Sequence, residues 1–291
     1  MTIIVGIKCR DGLVLASDSQ TTYGTSKRLD TKKISLVHFE DGAALVAESG
    51  PASMSGEALR LLQKKATTQK ISTDDSPALL AVDAMRELRK GQSALYPGRH
   101  SLDEWKKFYT TEGRTELAVA YWFGGKVELY TITLDECVPS KVQGHFAAAG
   151  CGGDLAEYLL GEFCPKGLTC SLAAVVASYV VEMVKQHDAC CGGPTGIGMI
   201  TENPPDLKAL IDAKEEIMTP PECRRFRNYT VGLLPQPTVD EFMKEVLAVQ
   251  GQIQDKFNAL TVQGFKEAAN RLSQKLADAF KDFGDRIPEG E

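Results

Sequence analysis

The chain opens on "MTIIVGIKCRDGLVLASDSQTT", an apolar strand pattern at the position where most chains fray into water, and this feature constrains the fold most. Thr2 to Cys9 alternate like a strand, Arg10-Asp11-Gly12 make a turn, and Leu13 to Asp18 resume as a second strand. The apolar density leaves neither face of this hairpin polar, so both faces are expected to be covered. A chain start tied into a core places Thr2 inside the protein.

The rest of the pattern says what covers it. Lys32 to Val37 and Ala43 to Ala47 read as two more strands joined at Glu40-Asp41-Gly42. A helix starts at Gly50-Pro51 and runs through Leu59, Leu61 and Leu62. Ser76-Pro77 starts another, reaching about Gln92, with Ser as N-cap and Pro at the first helical position. Residues 93 to 114 read as an inserted loop with a short helix. Next come the hairpin "ELAVAYWF" and "KVELYTITL" around Gly124-Gly125, a strand at "HFAAAG", a helix at "DLAEYLLGEF", a longer helix from Ser171 to about His187, and the strand "GIGMIT". Strands and helices in separate runs predict an α+β fold, with two sheets packed on each other and helices on the outer faces.

Residues 204–237 are rich in proline and charge and read as a connector carrying one further strand, "YTVGLLP". From Thr238 the character changes. Thr238-Val239-Asp240-Glu241 is a capping box, and Phe242, Val246, Val249, Ile253, Phe257 and Leu260 recur at helical spacing. After a pause at 261–264 the period resumes with Phe265, Ala268, Leu272, Leu276, Ala279 and Phe283. The expected layout is a catalytic-type domain over 1–203, the connector over 204–237, and an amphipathic helical extension over 238–291.

Composition narrows the function classes. A length of 291 residues, 43% hydrophobic and 25% charged, is that of a globular protein with a large core. The net charge of -6 argues against nucleic acid or an anionic membrane as the main partner. The start lacks a signal-peptide pattern, and the apolar stretch from Leu172 to Val184 is too short to span a bilayer, so the expected location is cytoplasmic. The eight cysteines are irregularly spaced and fit reduced thiols.

An arbitrary Met-Thr start carries no role; its company gives Thr2 one. Removal of Met1 would leave a hydroxyl nucleophile beside an α-amine whose ordinary pKa is about 7.7–8.0. That amine can act as base for its own hydroxyl. Asp18 at the end of the second strand and Lys33 at the start of the third supply a cation and the carboxylate to hold it. The Gly-rich turns "AGCGGD" and "DACCGGPTG" offer backbone donors. Cys151, Cys190 and Cys191 with His187 raise a zinc reading. There is no CxxC pair, and adjacent Cys190-Cys191 cannot readily aim both thiolates at one ion, so no metal is expected. No phosphate loop or dinucleotide fingerprint occurs, and the expected chemistry uses no cofactor.

The stretches "TIIVGIKCRDGLVLASDSQTTYG", "TKKI", "SGPA", "AAGCGGD" and "KQHDACCGG" resemble, in order and spacing, the β-type subunits of the proteasome and the bacterial peptidase HslV. The resemblance covers residues 2 to 201. It implies a four-layer αββα N-terminal-nucleophile (Ntn) hydrolase sandwich in which Thr2 attacks the scissile carbonyl, Lys33 tunes its amine and Asp18 orients Lys33. It puts the amide of Ala47 at the oxyanion position, Asp188 near the nucleophile, and Cys151 and Cys191 where the family has serines around the amine. Backbone groups near Thr22 and Ala47 would pair with an extended peptide, and Leu45 and Ser49 would shape the pocket for the residue before the cut. The implied partners are an unfolded polypeptide or peptide substrate, further copies of the chain in a homo-oligomeric ring, and an ATPase unfoldase. A non-catalytic ring or scaffold subunit and an amidohydrolase for a small amide are the alternatives.

Overall fold

A computed structural model of the protein describes residues 2–23, 26–40, 42–69, 76–95, 101–111, 113–123, 125–201, 223–226 and 229–233. The chain divides into two compact units, Met1–Met243 and Lys244–Glu291. The second unit, and with it the helical pattern expected from Thr238 onward, lies outside the described residues.

In chain order, β1 (Ile3–Cys9) turns into β2 (Gly12–Ser17), and β3 (Thr21–Tyr23) pairs with β4 (Ser26–Arg28) in a ribbon of their own. β5 (Ile34–His38) and β6 (Gly42–Ser49) form the next hairpin, followed by α1 (Ala52–Thr68), α2 (Pro77–Leu95) and α3 (Leu102–Thr110). β7 (Glu116–Phe123), β8 (Lys126–Thr133), β9 (Ser140–Lys141) and β10 (Phe146–Gly150) precede α4 (Gly153–Phe163), α5 (Cys170–His187) and β11 (Gly196–Thr201). β12 (Cys223–Phe226) and β13 (Tyr229–Leu233) complete the described elements. The result is a mixed α/β protein with antiparallel sheets and, among the described residues, five helices. None of these helices is long and apolar enough to cross a membrane.

The larger sheet has the order β10-β1-β2-β11-β13-β12, and the other runs β5-β6-β7-β8-β9. The first strand of the chain is thus interior, flanked by β10 and β2. Its alternation splits its side chains between two cores. Ile3, Val5 and Ile7 join Val14 and Ala16 of β2 and the inner faces of α4 and α5 in one apolar cluster. Ile4, with Leu13 and Leu15, enters a second cluster shared with Leu45, Ala47, Ala118, Ala120 and Leu129 of the other sheet. The opposite residues of that other sheet, Ala44, Val46, Leu117 and Val119, pack on α1 and α2 in a third cluster. This is the physical reason that the opening hairpin is apolar on both faces. Each fully buried Ile, Leu or Val contributes about 1.5–3 kcal/mol, so burying the terminus outweighs its tendency to fray.

Helix starts follow local chemistry. Ser76 Oγ accepts the Ala78 amide at 3.2 Å, with Pro77 at the first helical position as expected. Ser101 and Glu104 form a capping box for α3, and Thr169 caps α5. The connector read over 204–237 contains a hairpin rather than one strand: β13 pairs with β11, and β12 with β13, extending the larger sheet.

Candidate active site

The interior position of β1 fixes Thr2, which is 2% exposed at its head. Its carbonyl lies close to the turn after β10, where the Cys151 thiol approaches it at 3.4 Å and the Gly152 amide donates to it at 3.4 Å. Asp18 follows β2 directly and returns to the same point: its Oδ1 accepts the Ile3 amide at 3.2 Å. Its Oδ2 accepts the amides of Gln20 at 3.3 Å and Gly192 at 3.0 Å. Lys33, just before β5, reaches across from the other sheet. Its Nζ donates to Thr2 Oγ1 at 2.7 Å and to Asp18 Oδ1 at 2.7 Å. The lysine and carboxylate side chains are 5% and 0% exposed, so this ion pair is buried. Thr2, Asp18 and Lys33, distant in sequence, form one hydrogen-bonded chain ending on a hydroxyl.

A second group stands beside it. Cys191 Sγ is 3.8 Å from Cys151 Sγ and 3.8 Å from Asp188 Oδ2. Asp188, the C-cap of α5, takes the Cys190 amide on Oδ1 at 2.8 Å. Burial pushes the Asp188 carboxyl up, but the hydrogen bonds from Cys190, Cys151 and Cys191 outweigh it and leave the pKa below its ordinary value. The thiols diverge: the hydrogen bond from Cys191 lowers Cys151, and donating that bond, followed by burial, raises Cys191.

Other residues named from the sequence fall elsewhere. Ala47 is on the interior strand β6, opposite Ile34 on one side and Ala118 on the other. The Glu48 amide donates to Lys33 O at 3.0 Å, so by strand alternation Ala47 directs its amide to β7, where the ladder uses it. Gly50 follows the end of β6, beside Arg114 and Thr115. Its φ is +124°, and a Cβ there would lie 2.4 Å from Arg114 O, so only glycine fits. Leu45 is fully buried between the sheets. Ser49 is buried at the end of β6. Thr22, on β3, has a buried Oγ1 without a hydrogen-bond partner.

Gly150 ties the groups together. Its amide donates to Glu116 Oε2 at 2.8 Å, its φ is +88°, and a Cβ would come 2.1 Å from Thr2 O and 3.1 Å from Ser49 Oγ. Gly150→Ala is expected to cost roughly 2–4 kcal/mol by urea unfolding, through strain and displacement of Thr2. A loss under about 0.5 kcal/mol would show that this corner yields freely.

Glu48 is a further group that the sequence did not mark. Burial raises its carboxyl to about 7 against the pull of Lys33 and a hydrogen bond from Ser55, and its Oε2 is buried without a partner. A carboxyl raised in the folded state binds its proton more tightly there than in the unfolded chain. Its contribution is therefore present at low pH and is lost as pH rises from 4.5 through about 7. Glu48→Gln is expected to raise Tm relative to the parent at pH 8 and to change it little at pH 4.5. Equal effects at both values would contradict the shift.

The fold is thus an antiparallel α/β one in which the Thr2 hydroxyl is locked onto a lysine–carboxylate pair. In fold, the chain is similar to solved structures of Anbu (ancestral beta-subunit) proteins. That of Yersinia bercovieri shares 14% identity over 89% of this chain and 98% of that one, with a TM-score of 0.63. The Anbu complex of Pseudomonas aeruginosa, solved as a helical assembly, shares 14% over 89% of this chain and 97% of that one, at 0.62. Anbu from Hyphomicrobium sp. strain MC1 shares 15% over 68% of this chain and 81% of that one, at 0.53. No protein-family model and no curated protein matches the chain in sequence.

These likenesses correct the family reading. The motifs resembled proteasome β-subunits and HslV, whereas the structural neighbours are Anbu proteins, a distinct family with a proteasome-like fold. The motifs ended at residue 201, within elements that proteasome-like folds share. The Anbu likeness spans 89% of the chain and so extends past them.

Proposed function

We propose that the protein is an N-terminal threonine hydrolase that cuts peptide bonds, built as a four-layer αββα sandwich and working in a homo-oligomer. The observation that carries this is the 2.7 Å hydrogen bond from Lys33 Nζ to Thr2 Oγ1, with Lys33 held by Asp18 in a buried site. Three apolar clusters, helix on sheet, sheet on sheet and sheet on helix, support the layering.

Once Met1 is removed, the Thr2 α-amine takes the Oγ1 proton and the oxygen attacks the scissile carbonyl carbon. Lys33 favours the neutral amine and the developing alkoxide by its charge, and Asp18 fixes Lys33. With the Ala47 amide turned into the ladder, the amide of Gly50 just beyond β6 is our candidate for the oxyanion donor. The amine returns its proton to the leaving nitrogen, and water then hydrolyses the ester on Thr2. The orphan Thr22 hydroxyl is available to an extended substrate.

The helical assembly reported for Anbu of P. aeruginosa supports self-association, and makes an open helix as well as a closed ring an arrangement to test for this chain. Intact mass before and after a peptide epoxyketone, which needs the hydroxyl and free amine of one N-terminal threonine, tests the chemistry. Loss of Met1 and one adduct per chain, absent in Thr2→Ala, is expected. Retained Met1 with no adduct would overturn it in favour of a non-catalytic scaffold.

A further inference from the structure

Cys151, from the turn after β10, and Asp188 and Cys191, from the turn that follows α5, place their ligand atoms within 4.8 Å of one another. The two sulfurs are 3.8 Å apart, and Cys191 Sγ is 3.8 Å from the nearer carboxylate oxygen. Thiolates bound by one tetrahedral zinc at ~2.3 Å stand about 3.8 Å apart, and a thiolate and a carboxylate oxygen about 3.5 Å. The sulfur–sulfur edge already has the length of a tetrahedral site, the Cys191–Asp188 edge is about 0.3 Å longer than one, and the third edge lies within 4.8 Å. The Cys190 amide on Oδ1 turns Oδ2 of Asp188 toward Cys191, the outer bond that orients a ligating carboxylate. Cys151 is exposed and Cys191 buried, which gives a cation an entry and a floor.

The other thiol–carboxylate group, Cys9, Asp11 and Cys170, is committed to backbone. Asp11 Oδ1 accepts the Cys170 amide at 2.8 Å, Cys170 Sγ donates to Ile200 O at 3.5 Å, and Cys9 Sγ to Ile7 O at 3.6 Å. It serves as an internal control.

We propose that Cys151, Cys191 and Asp188 bind one thiophilic divalent cation of the zinc class, with water in the fourth position, and that the bound cation holds Thr2 off. Binding releases the thiol protons to solvent and forms two metal–sulfur bonds and one metal–oxygen bond in place of metal-bound waters. Cys151 Sγ lies 3.4 Å from Thr2 O, so the cation sits against Thr2. After loss of Met1 the Thr2 α-amine replaces that water, which leaves to solvent, and its lone pair, bound to the cation, is withheld from the Oγ1 proton. This second half rests on the proposed threonine chemistry; the site itself does not.

The test is titration of the full chain, kept in a phosphine reductant, with Co2+ as spectroscopic probe and Zn2+ as competitor. One equivalent is expected to give a near-ultraviolet thiolate-to-cobalt band that Zn2+ removes. The band should vanish in Cys151→Ser and Cys191→Ser, bind at least about tenfold more weakly in Asp188→Asn, and persist in Cys9→Ser and Thr2→Ala. In the parent chain, with no substitution, Zn2+ should protect Cys151 and Cys191 from alkylation, mapped by mass spectrometry. No band, a band that survives both serine variants, a band lost in Cys9→Ser, or unprotected thiols would overturn the site. Zn2+ should slow epoxyketone labelling at least tenfold, and an unchanged rate would overturn the inhibitory half. A parent that never forms the adduct would defeat the threonine chemistry, while the cobalt and alkylation results still decide the site.

Discussion

Thr2→Ala protein is expected to hydrolyse a fluorogenic peptide no faster than background, a fall on the order of 10⁶-fold by the scale of nucleophile removal in hydrolases. The substitution deletes Oγ1 and the bond that Lys33 makes to it, while Lys33 keeps Asp18 at 2.7 Å. The main chain of β1 and its neighbours is untouched, so the loss in stability should stay near the ~1.5–3 kcal/mol of one charge-assisted hydrogen bond. Thr2→Ser, which restores the hydroxyl, should recover part of the turnover. Parental rates in Thr2→Ala would end the threonine reading outright.

The second large effect is on folding. Asp18→Ala is expected to cost about 3–5 kcal/mol, because it strands the buried Lys33 ammonium. It also leaves the amides of Ile3, Gln20 and Gly192 without their acceptor. In urea the midpoint should fall steeply with little change in slope. Pairing Asp18→Asn with Lys33→Met removes both charges together, and the double variant should lose less than Asp18→Ala alone. A double variant less stable than Asp18→Ala would mean that the ion pair itself stabilises the fold.

The opening hairpin and most strands and helices up to residue 201 were legible because they rest on local signals, namely period-two alternation, turn residues and helix starts, whereas the meeting of Thr2, Asp18 and Lys33 was implied by the family resemblance. The ribbon of β3 and β4 was not legible, since Thr21-Thr22-Tyr23 and the exposed Ser26-Lys27-Arg28 carry no apolar alternation. Nor was β12, whose Arg224-Arg225 reads as connector; it is an edge strand, where charge is the usual protection against stray pairing. The choice between Ala47 and Gly50 turns on which way an amide points in a ladder, and that depends on register with β5 and β7. The meeting of Cys151 with Cys191 depends on how α4 and α5 return the chain, and spacing along the sequence carries no trace of it.

The flanks of β1 also set an order in time. β1 closes on β10, which ends at Gly150, and β2 on β11, which ends at Thr201. Asp18 waits for the Gly192 amide. A growing chain thus carries Thr2 well before the strands that flank it, in a hairpin that is marginal by itself. Some two hundred residues must follow before its walls exist, and such distant pairings form slowly. Thr2 is made before, and put in place after, most of the residues that surround it, so a chain still under synthesis holds the hydroxyl but not the frame around it.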